Sequence, residues 1–105
     1  MEMKAIVKSW GMETEVTLEI AHYAENKNLA IQMWCEDGPY AILTVNLSQK
    51  CKPNCAFVDT NNCPWAENFI EKYKLGMPTG NMEMSGFCIY PEYEFDLAEI
   101  AKYAE

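Results

Sequence analysis

The sequence predicts an α+β domain: an antiparallel sheet of five or six strands, begun by an amino-terminal meander, with one or two helices packed on a face. Three observations carry that reading. Apolar and polar residues alternate through most of the first half, the region after Pro64 switches to a helical period, and Asp96 and Glu99 stand at the spacing of a helix cap. With 105 residues, half of them hydrophobic, the chain suits a single domain spanning 1–105 with one core.

The elements follow in order. Met3, Ala5 and Val7 alternate with Lys4 and Lys8, and Val16, Leu18 and Ile20 alternate with Glu15, Thr17 and Glu19. Gly11 supplies the turn of a hairpin between these two segments. Leu29 to Cys35 and Pro39 to Leu47 are two more apolar runs, and the intervening Glu36-Asp37-Gly38-Pro39 has turn chemistry, which completes a four-stranded meander. Ser48 to Asn54 is polar and aperiodic, a loop or projecting arm, and Ala56-Phe57-Val58 reads as a short edge strand.

A helix is expected to start near Cys63-Pro64, capped by the preceding asparagines, and to end at Gly76. Ala66, Phe69, Ile70 and Tyr73 would face the core, with Glu67, Glu71, Lys72 and Lys74 in water and Trp65 in the core beside them. Met77 to Asn81 reads as a Pro/Gly loop, and Met84 to Tyr90 as a returning strand ended by Pro91. The last helix is capped by Asp96, with Phe95 and Ile100 placed as a hydrophobic staple.

Charge narrows the function. The chain has 16 carboxylates, 8 lysines and no arginine, for a net charge of −8. Arginine is the side chain that grips phosphate and base edges in bidentate fashion, so an arginine-free polyanion is not expected to bind DNA directly. It suits a basic protein groove instead, and such grooves belong above all to proteins that handle nucleic acid. The amino terminus lacks the basic and apolar regions of a signal peptide, and no run approaches the roughly 20 apolar residues of a membrane span. A cytoplasmic location in a bacterial host is expected, without membrane contact, and the five cysteines read as reduced thiols.

Few residues carry chemistry. Cys51, Cys55 and Cys63 have Cys-x3-Cys-x7-Cys spacing without zinc knuckles, so they are weak metal candidates and no metal or cofactor is expected. His22 is the single histidine and has no motif around it, and neither a phosphate-binding loop nor a metalloprotease signature is present. No enzyme activity and no catalytic residue are expected. The carboxyl-terminal segment does combine charge with large rings: Glu92, Glu94, Asp96 and Glu99 are interleaved with Tyr90 and Tyr93. Carboxylates beside aromatic anchors fit a partner-binding surface, and Glu13, Glu15 and Glu19 form a second candidate face.

Three blocks carry a resemblance. They are Val58-Asp59-Thr60-Asn61-Asn62-Cys63-Pro64-Trp65-Ala66-Glu67, Gly86-Phe87-Cys88-Ile89-Tyr90-Pro91 and Tyr93-Glu94-Phe95-Asp96-Leu97. In these the chain resembles a small uncharacterised-domain family carried by plasmids, integrative conjugative elements and phages of gut bacteria, and is similar to metagenomic anti-CRISPR proteins. The resemblance implies a stoichiometric inhibitor of a type II-A RNA-guided DNA nuclease, binding the effector or its guide-RNA complex and blocking DNA loading or cleavage. The alternative is an accessory protein of mobile elements that acts on restriction or other DNA-binding host defences.

Overall fold

A computed structural model describes residues 3–47 and 49–104; Met1, Glu2, Ser48 and Glu105, which fall within the terminal and loop segments read above, lie outside the described residues. The α+β class stands, with eight strands in two four-stranded antiparallel sheets and two helices among the described residues. Strands β1 (Ala5–Ser9), β2 (Met12–His22), β3 (Leu29–Cys35) and β4 (Gly38–Ile42) form the expected meander in that order. Its first turn places both Trp10 and Gly11 at positive φ, the backbone of a tight primed hairpin turn.

The expected fourth strand, Pro39 to Leu47, is broken at Leu43. That residue is fully buried, donates its N–H to Ile31 of β3 and accepts from the N–H of Asp59, so its backbone is shared between sheets. Beyond it, β5 (Thr44–Val45) opens the second sheet, whose order is β5, β6 (Cys55–Val58), β8 (Cys88–Phe95), β7 (Gly76–Ser85). The expected edge strand at Ala56 to Val58 is therefore internal. All four of its side chains are buried because both faces of this sheet are covered.

Two more expectations are corrected in the β7–β8 hairpin. Met77 to Asn81 is strand, not loop, and Met84 to Tyr90 is not one returning strand: Met84 and Ser85 end β7, Gly86-Phe87 is the turn with Gly86 left-handed, and the returning strand begins at Cys88, opposite Ser85. Pro91 does not end β8. The β6 ladder stops at Phe57 opposite Glu92, so no bond to β6 is lost at the proline.

Helix α1 (Ala66–Tyr73) starts later than expected, without a side-chain cap, because Asp59 engages Asn62 in a preceding turn instead. It ends at Lys74, which takes the left-handed conformation. Gly76, expected as the terminator, begins β7. Ala66, Phe69 and Ile70 are buried and Tyr73 is half-buried, as the periodicity predicts; Trp65, expected in the core, is half-buried at its margin, tilted against Tyr40 and edge-to-face with Phe69. Helix α2 (Leu97–Ala101) has the expected cap, the Asp96 carboxylate accepting from the N–H of Glu99 at 3.1 Å.

One large core joins both sheets and both helices through Val16, Leu18, Ile31, Leu43, Val58, Ile70, Phe95 and Ile100. A smaller cluster of Cys51, Cys55, Phe57 and Tyr90 lies on the opposite face of the second sheet. Alternation along β6 and β8 separates them: Ala56, Val58, Tyr93 and Phe95 point to the first core, Cys55, Phe57 and Tyr90 to the second.

Candidate functional site

The carboxyl-terminal acidic segment divides according to this alternation. Glu92 is only 8% exposed, and Tyr90 and Tyr93 are buried as well, so these three do not offer themselves to a partner. Around Glu92 the strand pairing is irregular: Pro78 opposes Tyr93 and Met82 opposes Pro91, so three residues of β7 bulge against one of β8. The bulge turns Thr79 and Asn81 onto the Glu92 carboxylate, the hydroxyl donating at 2.8 Å and the amide at 3.0 Å. Glu94 and Asp96 are exposed, and half-buried Glu99 pairs with Lys102 at 3.0 Å.

The cysteines divide too. Cys51 and Cys55 belong to the small cluster and Cys63 to the main core, and among the described residues no group of three cysteine, histidine, aspartate or glutamate side chains converges as metal ligands. Residues 49–54 form a loop, as expected, but it does not project. Buried Asn28 holds it down, accepting from the N–H of Cys51 at 2.9 Å and donating to the carbonyl of Gln49 at 2.9 Å. Serine at Cys51 and Cys55 would thus bury two hydroxyls, so the pair is not dispensable for stability as a surface arm would be.

Burial, followed by the nearby Glu92 charge, pushes the Cys51 thiol up to about 11; burial and Asp59 do the same to Cys63. Burial and the bond to Glu67 push Tyr93 up to about 12. Each group keeps its proton in the fold where the unfolded chain would lose it. Bound protons are then more numerous in the native state, so stability falls as pH rises from the ordinary thiol value of 9.0 to about 11. Urea midpoints should accordingly be lower at pH 10.5 than at pH 8, and Cys63→Ala should reduce that drop; an equal drop in the variant would exclude Cys63 as a source.

The second candidate face is partly neutralised. On β2, Glu13 pairs with Lys8 at 3.6 Å, Glu15 with Lys4 at 3.4 Å, and Glu19 accepts from the Trp34 indole at 3.2 Å.

A different acidic surface emerges from the packing of α1 on the β7–β8 ladder. A groove of about 990 Å³ opens there, lined by Glu67 and Glu71 of α1, by Asp96, by Pro78 and Tyr93, and by Met77 and Glu94, whose side chains the strand alternation directs to the opposite face of the sheet. Lys74 is the single cation lining it. Tyr93 fixes one wall by donating its hydroxyl to Glu67 at 2.9 Å. Glu94 and Asp96 belong to the segment singled out from the sequence. The sequence marks Glu67 and Glu71 only as the wet face of a helix; their position beside β8 depends on tertiary packing, and exposed carboxylates one helical turn apart are the signal available for it.

A family model, the domain of unknown function DUF4313, matches residues 17–105. The chain belongs to this family. All the groove-lining residues lie inside the matched span, whereas Lys4, Lys8, Glu13 and Glu15 lie outside it. Neither curated proteins nor solved structures yield a match to the chain.

Proposed function

We propose that this DUF4313 protein is a stoichiometric protein-binding inhibitor that presents the acidic groove to a basic surface of a DNA-handling host protein. The type II-A RNA-guided nuclease is the target that the sequence resemblance selects. The observation that carries the reading is the groove itself: Glu67, Glu71 and Asp96 against one lysine among the described residues, within the span shared with the family. Such effectors hold guide RNA and target DNA in a positively charged channel and read the flanking motif through arginines, surfaces that a carboxylate-lined groove complements. The inhibitor acts without turnover, by occupying the site that DNA needs.

Glu67 and Glu71 are exposed helix positions, so reversing both to lysine preserves helix propensity, and the lost Tyr93–Glu67 hydrogen bond costs about 1 kcal/mol, too little to unfold the chain. A DNA-cleavage assay with assembled effector and guide RNA should show inhibition weakened by about a hundredfold, as like charge meets like at a cost of several kcal/mol. Reversal of Glu13 and Glu15 should change it far less. Full inhibition by the Glu67/Glu71 variant would sink the groove reading, and capture of a restriction enzyme rather than the effector would redirect the target.

A further inference from the structure

Among the described residues, five of the nine large exposed hydrophobic side chains, Met77, Met82, Met84, Phe87 and Ile89, belong to the β7–β8 hairpin beside the groove. Register along the β7–β8 ladder puts Met82 opposite Pro91 and Met84 opposite Ile89, on the same side as Tyr93 and Phe95. Helix α1 covers Tyr93 and Phe95 but runs for only eight residues, about 12 Å, whereas β7 runs for ten, about 33 Å. The helical layer therefore stops short. Met82, Met84 and Ile89 are left more than half exposed, with Phe87 fully exposed at the turn.

Charge distribution says what fits there. Between Gly76 and Pro91 the only charged residue is Glu83, in a chain of net charge −8, while carboxylates crowd the adjoining groove. A second copy of the chain would bring those carboxylates against their own kind. An occupant with both an apolar and a basic side satisfies both halves of the surface. A helix also matches the width of the bare ladder, since two strand spacings come to roughly 10 Å and a helix with its side chains is about as wide.

We propose that the bare face of the β7–β8 hairpin is a docking surface for a basic amphipathic helix of a partner protein. Its apolar side packs on Met82, Met84 and Ile89, and its lysines or arginines reach the groove carboxylates. Flexible, polarizable methionines suit such a surface because they adapt to the side chains laid on them. The inference rests on the groove receiving a basic partner, and it adds the kind of segment that partner supplies.

The test uses the full chain, labelled with 13C at its methionine methyls, and a 14-residue leucine/lysine peptide that is amphipathic as a helix. The Met82 and Met84 signals should shift on titration, while those of Met3, Met12 and Met33 stay in place. A leucine/glutamate peptide of the same pattern should leave all of them unmoved. The double variant Met82→Ser, Met84→Ser changes only exposed side chains, removes their apolar contact without adding charge, and should bind the basic peptide at least tenfold more weakly. Unchanged affinity in that variant, or shifts confined to Met3 and Met12, would overturn the proposal. In the nuclease assay, loss of inhibition in the Glu67/Glu71 variant with full inhibition by the Met82/Met84 variant would overturn the hairpin surface and leave the inhibitor standing. Hairpin-specific peptide binding with no effect of the chain on the nuclease would do the reverse.

Discussion

Glu92→Lys should unfold a large fraction of the protein under mild urea, whereas Glu94→Lys, two residues along the same strand, should be nearly silent. The difference lies in which atoms wait for the new side chain. Thr79 and Asn81 both aim donors at the Glu92 carboxylate, and the Cys51 thiol faces it from the arm. A lysine ammonium offers donors to donors inside a cluster walled by Phe57 and Tyr90, so the new charge is buried without a partner. A cost of about 3–5 kcal/mol follows, against roughly 0.5 kcal/mol for the exposed neighbour. Glutamine at 92 keeps an acceptor oxygen and should cost about 1–2 kcal/mol. Equal urea midpoints for the two lysine variants would mean that the bulge opens to let the side chain out.

Gly76→Ala should be the most damaging of the glycine substitutions. A Cβ there would sit 2.7 Å from the Glu94 carbonyl oxygen and 3.1 Å from the Phe95 Cα, both backbone atoms of the paired strand. Neither can rotate away, so the start of the β7–β8 ladder has to separate, at about 2–4 kcal/mol. Gly80 and Gly86 have positive φ but open space around the missing Cβ, and alanine at either should cost only the conformational strain of about 1–2 kcal/mol. Thermal melts of the three variants order these effects directly. Gly76→Ala melting with the other two would show that the hairpin can shift along α1.

The contrast between Gly76 and the helix it was expected to end shows where sequence reading stops. Local signals were legible: the alternation of β1 to β3, the buried stripe of α1 and the Asp96 cap all reflect interactions within a few residues of one another. What was not legible depends on distant partners. Glu92 and Glu94 alternate as a wet-face pair would, yet one is buried, because β6 pairs on one side of β8 and a three-residue bulge closes over it from the other. Pro78 and Gly80 signalled a loop and instead mark that bulge within a strand. Part of the candidate surface was therefore visible as Asp96, and the part on α1 came from the fold.

The two clusters on opposite faces of the second sheet also set a hierarchy of openings. The arm over the smaller cluster is tied by Asn28 and by few apolar residues, whereas the main core draws on every strand layer and both helices. Sub-global opening of the arm would expose Cys51 and Cys55 while Cys63 stays shielded. The thiols thus act as separate clocks: a maleimide pulse under native conditions should label Cys51 and Cys55 at the rate of arm release, and Cys63 only at the far slower rate of whole-chain unfolding. The gap between those rates measures how independently the back of the sheet can breathe from the side that carries the acidic groove.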